Sequence, residues 1–320
     1  MITKALAIMV LMHYFVVITL EGTQASGETA PGMVTVAGPM LALAEEQPWG
    51  EATAPAEWKK PLPITFSIDY TIVSDYIFRG ANFSEYAGEG REALNHQLGV
   101  GLELDTSEVG ANLGTFGVSF WGEWYADQET LTPASRGNLQ EVDYTINWSY
   151  EIAELFTTIE TGWIGYTFPQ LGHDAYYTHE WYLSLSFDDS KLFAAEESVL
   201  NPYVAYYLDV DDVDGGWLEW GISHDFGLAD LGLDNTAALK DITLTPSLVM
   251  GIDDGQMGKS MRMANVQYGL DIGYDISGAL NIPEEYGSIS LTGFVYFSNR
   301  MHEAALNDEF WGGVTFSYAW

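Results

Sequence analysis

The feature that most constrains this chain is an alternation of apolar and polar residues that recurs from Leu62 to the last residue, Trp320. A period of two residues is that of a β-strand with one apolar face. In the final stretch, Glu309–Trp320, this apolar face carries Phe310, Val314, Phe316, Tyr318 and Trp320. An apolar strand that ends on an indole ring is typical of the last strand of a transmembrane barrel, which pairs with the first strand and removes both sheet edges. We therefore predict that Phe316, Tyr318 and Trp320 lie at a barrel closure.

The same alternation returns in a series of segments at the spacing of a meander. These are Leu62–Ile72, Leu94–Leu104, Phe116–Trp124, Val142–Ile152, Tyr177–Phe187, Leu218–Phe226, Ile242–Ile252, Val266–Ile276 and Ile289–Phe297. Two more segments, Phe156–Thr167 and Pro202–Leu208, are strand-like but ambiguous in which residues face which side. With the last strand this makes about twelve, an even number. We predict an all-β fold for residues 62–320: a transmembrane, antiparallel, up-and-down β-barrel of the outer-membrane type. A soluble β-sandwich, which shows the same alternation, is the alternative.

Composition excludes several classes of partner and site. The chain has 46 Asp and Glu against 11 Lys and Arg, a net charge of -35, which argues against nucleic acid or an anionic lipid surface as a partner. It has no cysteine, so disulfides, thiolate metal sites and cysteine nucleophiles are excluded. No long apolar run follows the first twenty residues, so helical membrane spans are not expected in the body of the chain.

The first residues carry an export signal. Lys4 precedes the apolar run Ala5–Leu20 and then small residues, so we predict a signal peptide over residues 1–25. A second candidate cleavage position follows Ala44, and an uncleaved anchor helix is a further alternative. Residues 26–61 are rich in Ala, Gly, Pro and Glu without periodicity, as in a flexible linker. A signal peptide followed by a barrel predicts the outer membrane of a Gram-negative bacterium, with its lipid, its lipopolysaccharide and its insertion machinery as partners.

Four short motifs carry a family resemblance. The segment Val73–Gly80 reads VSDYIFRG, and it is followed in order by Glu141–Tyr144, Gly165–Pro169 and His179–Tyr182. In these motifs the chain resembles the TorF family of porins, over most of residues 62–320. The resemblance implies an outer-membrane barrel that acts as a channel, with structural motifs and no catalytic residue. After Gly80 the chain departs from the Pro-Ala and Gln-Gly pattern of that family.

The polar face of the predicted strands indicates what a channel would conduct. It carries the carboxylates Asp69, Glu103, Glu123, Asp143, Glu219 and Asp271, whereas all eleven Lys and Arg fall in the signal, the linker or the loops. We therefore predict a lumen lined by negative charge only, and hence passive diffusion of small hydrophilic solutes with a preference for cations. The alternative is a structural or adhesive barrel plugged by its own side chains. The polar face also carries Trp121, Tyr125, Tyr182, Phe294, Tyr296 and Trp311, which favour plugging, and glycines, which favour space.

Enzymatic and metal-binding functions are not expected. Membrane barrels that hydrolyse lipids use a serine activated by histidine, and His96, His179 and His224 lie on the apolar face, with His173 and His302 in loops. No G-x-S-x-G motif supports this remote alternative. The segment Asp209–Gly216 contains Asp209, Asp211, Asp212 and Asp214, a weak calcium candidate whose spacing departs from the EF-hand loop. We predict a hydrated acidic loop there, and no cofactor.

Overall fold

Twelve long strands form the molecule. The structure, a computed structural model, describes residues 63–84, 94–125, 139–169, 177–229, 231–232, 239–257, 261–301 and 307–320. The strands are β1 (Ile64–Val73), β2 (Ile77–Phe78), β3 (Ala81–Asn82), β4 (Asn95–Asp105), β5 (Thr115–Tyr125), β6 (Leu139–Ile152), β7 (Thr157–Thr167), β8 (Tyr177–Phe187), β9 (Tyr203–Asp209), β10 (Gly216–Ser223), β11 (Phe226–Gly227), β12 (Ile242–Asp254), β13 (Arg262–Asp275), β14 (Ser288–Arg300) and β15 (Glu309–Ala319). The twelve long strands form the barrel wall, the two-residue β11 pairs with β12 at its edge, and β2 and β3 form a separate small sheet.

The wall is a closed antiparallel barrel. Each wall strand pairs with its neighbours along the chain, and β10 pairs with β12 past the short β11. β1 pairs with β15 from Ser67↔Ala319 to Val73↔Gly313, so the first and last strands close the sheet. The pairing extends to Trp320, whose N–H and C=O both bond to Phe66, at 2.9 and 2.8 Å. Closure leaves no free edge, which a sheet in lipid requires because nothing there satisfies an unpaired backbone group.

The predicted architecture is confirmed, with small shifts in strand ends. The two segments of ambiguous facing are the strands β7 and β9, and the first strand begins at Ile64 rather than Leu62. Among the described residues, no helix is long and apolar enough to cross a membrane. The predicted signal peptide and linker, with both candidate cleavage positions, lie outside the described residues.

The two faces of the wall differ in character. One face is apolar and exposed, as at Ile146 (59% exposed) and Trp181 (56%), and it points outward. The opposite face is polar and covered, as at Glu123 (0%) and Glu180 (3%), and it points inward. An exposed apolar face on every side of a closed barrel is the surface that a lipid bilayer covers.

The barrel has two distinct ends. We call the end that holds Ile64 and Ala319 the terminal end, and the opposite end, which holds Val73 and Asn95, the loop end. At the terminal end the connection between β8 and β9 is organised by Asp189, which is 2% exposed. Its carboxylate accepts hydrogen bonds from the Ser198 hydroxyl (2.6 Å) and from the N–H groups of Val199 (2.6 Å) and Leu200 (3.0 Å). Burial opposes ionisation of this carboxyl, but the hydrogen bonds outweigh it, and the pKa of Asp189 is lowered.

Candidate functional site: a hairpin inserted into an acidic barrel

The connection after β1 folds into the barrel as a small hairpin. Its strands β2 and β3 are joined by Arg79 and Gly80, whose φ angles are 53° and 78°. Two successive residues with positive φ form the type I′ turn of a two-residue hairpin, in which glycine is favoured at the second position. The turn places the Arg79 side chain at the hairpin tip.

The hairpin is docked tightly on the inward face near the loop end. A Cβ atom added to Gly80 would lie 2.9 Å from the Asn265 side chain, so the tip has no room for one. At the base, the Ser84 hydroxyl accepts a hydrogen bond from the Tyr76 N–H (2.7 Å) and another from the Asn95 amide (2.6 Å). The Tyr125 hydroxyl donates to the Phe83 carbonyl at 3.0 Å. Tip and base are therefore both fixed to the barrel wall.

Arg79 forms the central ion pair of this hairpin. Its guanidinium donates to both carboxylate oxygens of Glu180, at 2.5 and 2.9 Å, and to Gln256 Oε1 at 2.5 Å. It also lies over the rings of Phe78, Tyr207 and Trp217, at 4.6, 4.7 and 5.6 Å from their centroids. The Arg79 and Glu180 side chains are 6% and 4% exposed. A bidentate, buried pair of this kind is strong only because each charge has its partner in place.

The position of Arg79 corrects one prediction made from the sequence. All Lys and Arg were expected to lie in the signal, the linker or the loops, leaving the lumen with negative charge only. Arg79 does belong to a loop, but that loop turns inward, so a cation lies inside the barrel. Arg262, the first residue of β13, also approaches the inward face at the loop end and lies 3.2 Å from the buried Asp253. Both cations are ion-paired with carboxylates of the wall or its loop-end rim.

The four motifs that carry the family resemblance meet at this hairpin. Phe78 and Arg79 come from the first motif, and Phe78 packs edge-to-face on Tyr166 of the third at 6.1 Å. Tyr166 donates to Glu180 of the fourth motif at 2.8 Å. Glu141 of the second motif lies beside Tyr76 of the first. Segments separated by up to a hundred residues in sequence therefore form one contact network around the inserted hairpin.

Two β-bulges lie beside the docked hairpin. One falls between Glu123 and Trp124 of β5, so that β6 carries the extra residue Gln140 and presents Glu141 opposite Glu123. The other falls in β12 and β13, at Gly251 and Ile252, so that Asn265 of β13 lies opposite Gly251 and faces the hairpin tip. A bulge re-aims the side chains that follow it. The two bulges change the facing of Leu139 and Met263, on their loop-end side, which would otherwise share the inward parity of Glu141 and Asn265.

The six predicted lumen carboxylates lie on the inward face and differ in depth and in exposure. Glu123 and Asp143 lie near the loop end, under the hairpin, and Glu123 is fully buried. Glu103 is exposed near the terminal end, opposite Gly117. Asp69, Glu219 and Asp271 are partly exposed. The Asp271 carboxylate accepts from the Tyr296 hydroxyl at 2.6 Å, and Glu219 accepts from Tyr203 at 3.3 Å.

The acidic segment after β9 is built around one buried carboxylate. Asp209 is 2% exposed, and its Oδ1 accepts from the N–H groups of Asp211 (3.0 Å), Val213 and Asp214 (both 3.2 Å). Its Oδ2 accepts from the Thr178 hydroxyl at 2.5 Å. Asp209 thus shapes the turn with oxygens that are already engaged. Within the described ranges, no group of three or more His, Asp or Glu side chains is arranged to hold a metal ion.

His96, one of the histidines considered for lipid hydrolysis, lies in an aromatic cluster on the outward face. Its Nδ1 is 2.7 Å from the Tyr70 hydroxyl, and its ring stacks with Trp124 at 5.9 Å. His and aromatic rings of this kind are typical of the membrane interface of a barrel. His173 and His302 lie outside the described residues.

Several solved outer-membrane channels resemble this chain. The COG4313 outer membrane channel from Pseudomonas putida F1 is 9% identical, with a TM-score of 0.43, over 84% of this chain and 100% of that one. The KdgM porin is 14% identical, with a TM-score of 0.42, over 79% and 98%. OprD from Pseudomonas aeruginosa is 12% identical, with a TM-score of 0.34, over 79% and 65%. No family model and no curated protein matches the chain. The closed antiparallel barrel follows from the pairing of this chain's own strands, and the resemblance to the TorF family stays a prediction.

Proposed function

We propose that this barrel is a passive diffusion channel for small hydrophilic solutes in the bacterial outer membrane, and that it prefers cations. The observation that carries the proposal is the sign of the charge on the inward face. Within each described strand, leaving out its first and last residue, the inward face carries carboxylates and no Lys or Arg. Of the cations near it among the described residues, Arg79 and Arg262 are each paired with a carboxylate, and Arg300, the last residue of β14, is exposed at the loop end opposite Asn265.

Carboxylates that line the lumen without a basic partner create a negative electrostatic potential along the route of a solute. Asp69, Glu103 and Asp271 keep their inward positions without a basic side chain within ion-pair distance among the described residues. Such a potential concentrates cations and repels anions, and it needs no specific binding site. The proposal assigns no catalytic step to the barrel.

The test is the single-channel conductance of the purified protein in a planar bilayer, measured in three salts. We expect a conductance in potassium chloride that falls little when chloride is replaced by the bulkier acetate. It should fall strongly when potassium is replaced by a bulky tetraalkylammonium cation. A larger effect of the anion replacement would contradict the cation preference.

One observation favours a second candidate, a plugged structural or adhesive barrel. The hairpin fills part of the lumen near the loop end, and inward-facing aromatic rings pack there, as Tyr76 does on Trp121 at 5.4 Å. On the other side, Tyr296 packs on Trp311 at 5.5 Å. The absence of any conductance in every salt, from protein that is folded and inserted, would select this candidate over the channel.

A further inference from the structure

The guanidinium of Arg79 occupies a pocket whose walls come from distant parts of the barrel. Glu180 belongs to β8, Tyr207 to β9, Trp217 to β10, and Gln256 to the connection after β12. Apart from Phe78, none of the contacting side chains belongs to the hairpin itself. The pocket is therefore a feature of the barrel wall, and Arg79 is its occupant.

The chemistry of this pocket is specific for a planar cation. Two parallel hydrogen bonds to Glu180 and a third to Gln256 Oε1 match the fork of N–H donors on a guanidinium. The rings of Tyr207 and Trp217 lie 4.7 and 5.6 Å from the guanidinium carbon, within the range of a cation–π contact. A compact ammonium ion cannot form the bidentate contact and the ring stacking together.

Barrel residues hold the carboxylate of the pocket in place. The Tyr166 hydroxyl donates to Glu180 Oε2 at 2.8 Å, and the Gln256 amide donates to Glu180 Oε1 at 2.6 Å. Neither contact involves the hairpin. The Glu180 carboxylate would therefore keep its position and these two hydrogen-bond donors if the Arg79 side chain were removed, which is the preorganisation that a binding site requires.

We propose that the wall pocket formed by Glu180, Gln256, Tyr207 and Trp217 is a guanidinium-binding site that Arg79 fills from within the chain. Free guanidinium ions and small organic cations that carry this group bind there when Arg79 is absent or displaced. The existence of the site rests on its own geometry. Its use by a solute in transit rests on the proposed channel function.

The test measures binding of isotope-labelled guanidinium to the folded, detergent-solubilised barrel by equilibrium dialysis at low millimolar concentration. Arg79→Ala should bind guanidinium about tenfold or more tightly than the wild type, because the pocket is vacated. The same variant should discriminate against ammonium by about tenfold or more, because ammonium lacks the fork geometry. Equal binding of the two cations, or equal binding by wild type and Arg79→Ala, would overturn the proposal.

Two double variants separate the pocket from the general negative potential of the lumen. Arg79→Ala with Glu180→Gln should lose the binding, whereas Arg79→Ala with Glu103→Gln, which alters an inward carboxylate outside the pocket, should retain it. Binding that survives Glu180→Gln would contradict the assigned site. Folding of each variant is checked by heat-modifiable gel mobility. If Arg79→Ala does not fold, Arg79→Met keeps the packing of the side-chain stem and frees the same acceptor oxygens of Glu180 and Gln256.

Dialysis in detergent does not depend on conduction, so the two proposals fail separately. A barrel that binds guanidinium but passes no current would contradict the proposed channel function and support the proposed binding site. A barrel that conducts cations but shows no guanidinium binding in Arg79→Ala would contradict the proposed binding site and support the proposed channel function.

Discussion

Deletion of Phe316–Trp320 should abolish the folded barrel, because these residues complete the closing strand. The deletion removes four of the seven residue pairs between β15 and β1, from Tyr70↔Phe316 to Ser67↔Ala319. It also removes four of the eleven pairs between β15 and β14. The two hydrogen bonds between Phe66 and Trp320 are lost as well.

The loss is large compared with the stability of a folded domain. At roughly one backbone hydrogen bond per pair and about 1 kcal/mol net per bond, the eight pairs contribute about 8 kcal/mol. The whole free energy of unfolding of a domain is typically about 5–15 kcal/mol. In lipid the cost rises further, because each exposed edge group that finds no partner costs several kcal/mol.

The assay follows heat-modifiable gel mobility and recovery in the outer-membrane fraction. The deletion variant should show neither. Tyr318→Phe is the matched control, because it removes only the hydrogen bond from the Tyr318 hydroxyl to the Tyr286 carbonyl (3.0 Å) and should cost about 1 kcal/mol or less. A deletion variant that still folds and inserts would refute the closure between the first and last strands.

Three further predictions concern orientation, pH and the lumen. If the terminal end faces the periplasm, a tag within residues 126–138 is accessible to antibody on intact cells and one within Asp188–Ser198 is not; the reverse pattern would contradict the orientation. Because the pKa of Asp189 is lowered in the folded protein, its ionised carboxylate stabilises the fold at pH values above the ordinary Asp pKa, near 3.8. This stabilisation is lost as the pH falls through the lower pKa of the folded state. The urea midpoint of the wild type should therefore exceed that of Asp189→Asn at pH 7 and converge with it at acidic pH, and a gap that persists there would argue against the linkage. Gly99→Arg should reduce the cation preference, because it adds a positive charge at a position where a Cβ atom meets only Asp69, at 3.7 Å. An unchanged preference would exclude that region from the path.

The sequence predicted the wall of this barrel well because its signal is local. In a strand, successive side chains point to opposite faces because the backbone is pleated. The apolar residues of a segment such as Phe116–Trp124 therefore indicate which of its side chains face outward. The two segments of ambiguous facing, β7 and β9, carry small or aromatic residues on both faces, as at Gly162 and Gly165 in β7 and at Tyr206 and Tyr207 in β9. Their facing was set by pairing with neighbouring strands.

The inserted hairpin could not be predicted from local pattern. Its turn is Arg79-Gly80 rather than the Asn-Gly or Asp-Gly pair that signals a type I′ hairpin, and its direction is decided by contacts with Glu180 and Asn265, far away in sequence. The bulge at Gln140 could not be predicted either. An extra residue changes the side of the sheet to which the following side chains point without changing the composition of the strand. The motif resemblance was the available signal, since its four segments are those that meet at the hairpin.

The measurement that tests the central claim most directly is the zero-current potential of the purified barrel between two potassium chloride solutions of unequal concentration. A cation-preferring channel makes the dilute side positive, because potassium crosses down its gradient ahead of chloride. Replacing Asp69, Glu103 and Asp271 by their amides should move this potential toward zero, whereas Glu123→Gln, whose carboxyl is fully buried, should change it little. A dilute side that is negative in the unmodified barrel would contradict the account.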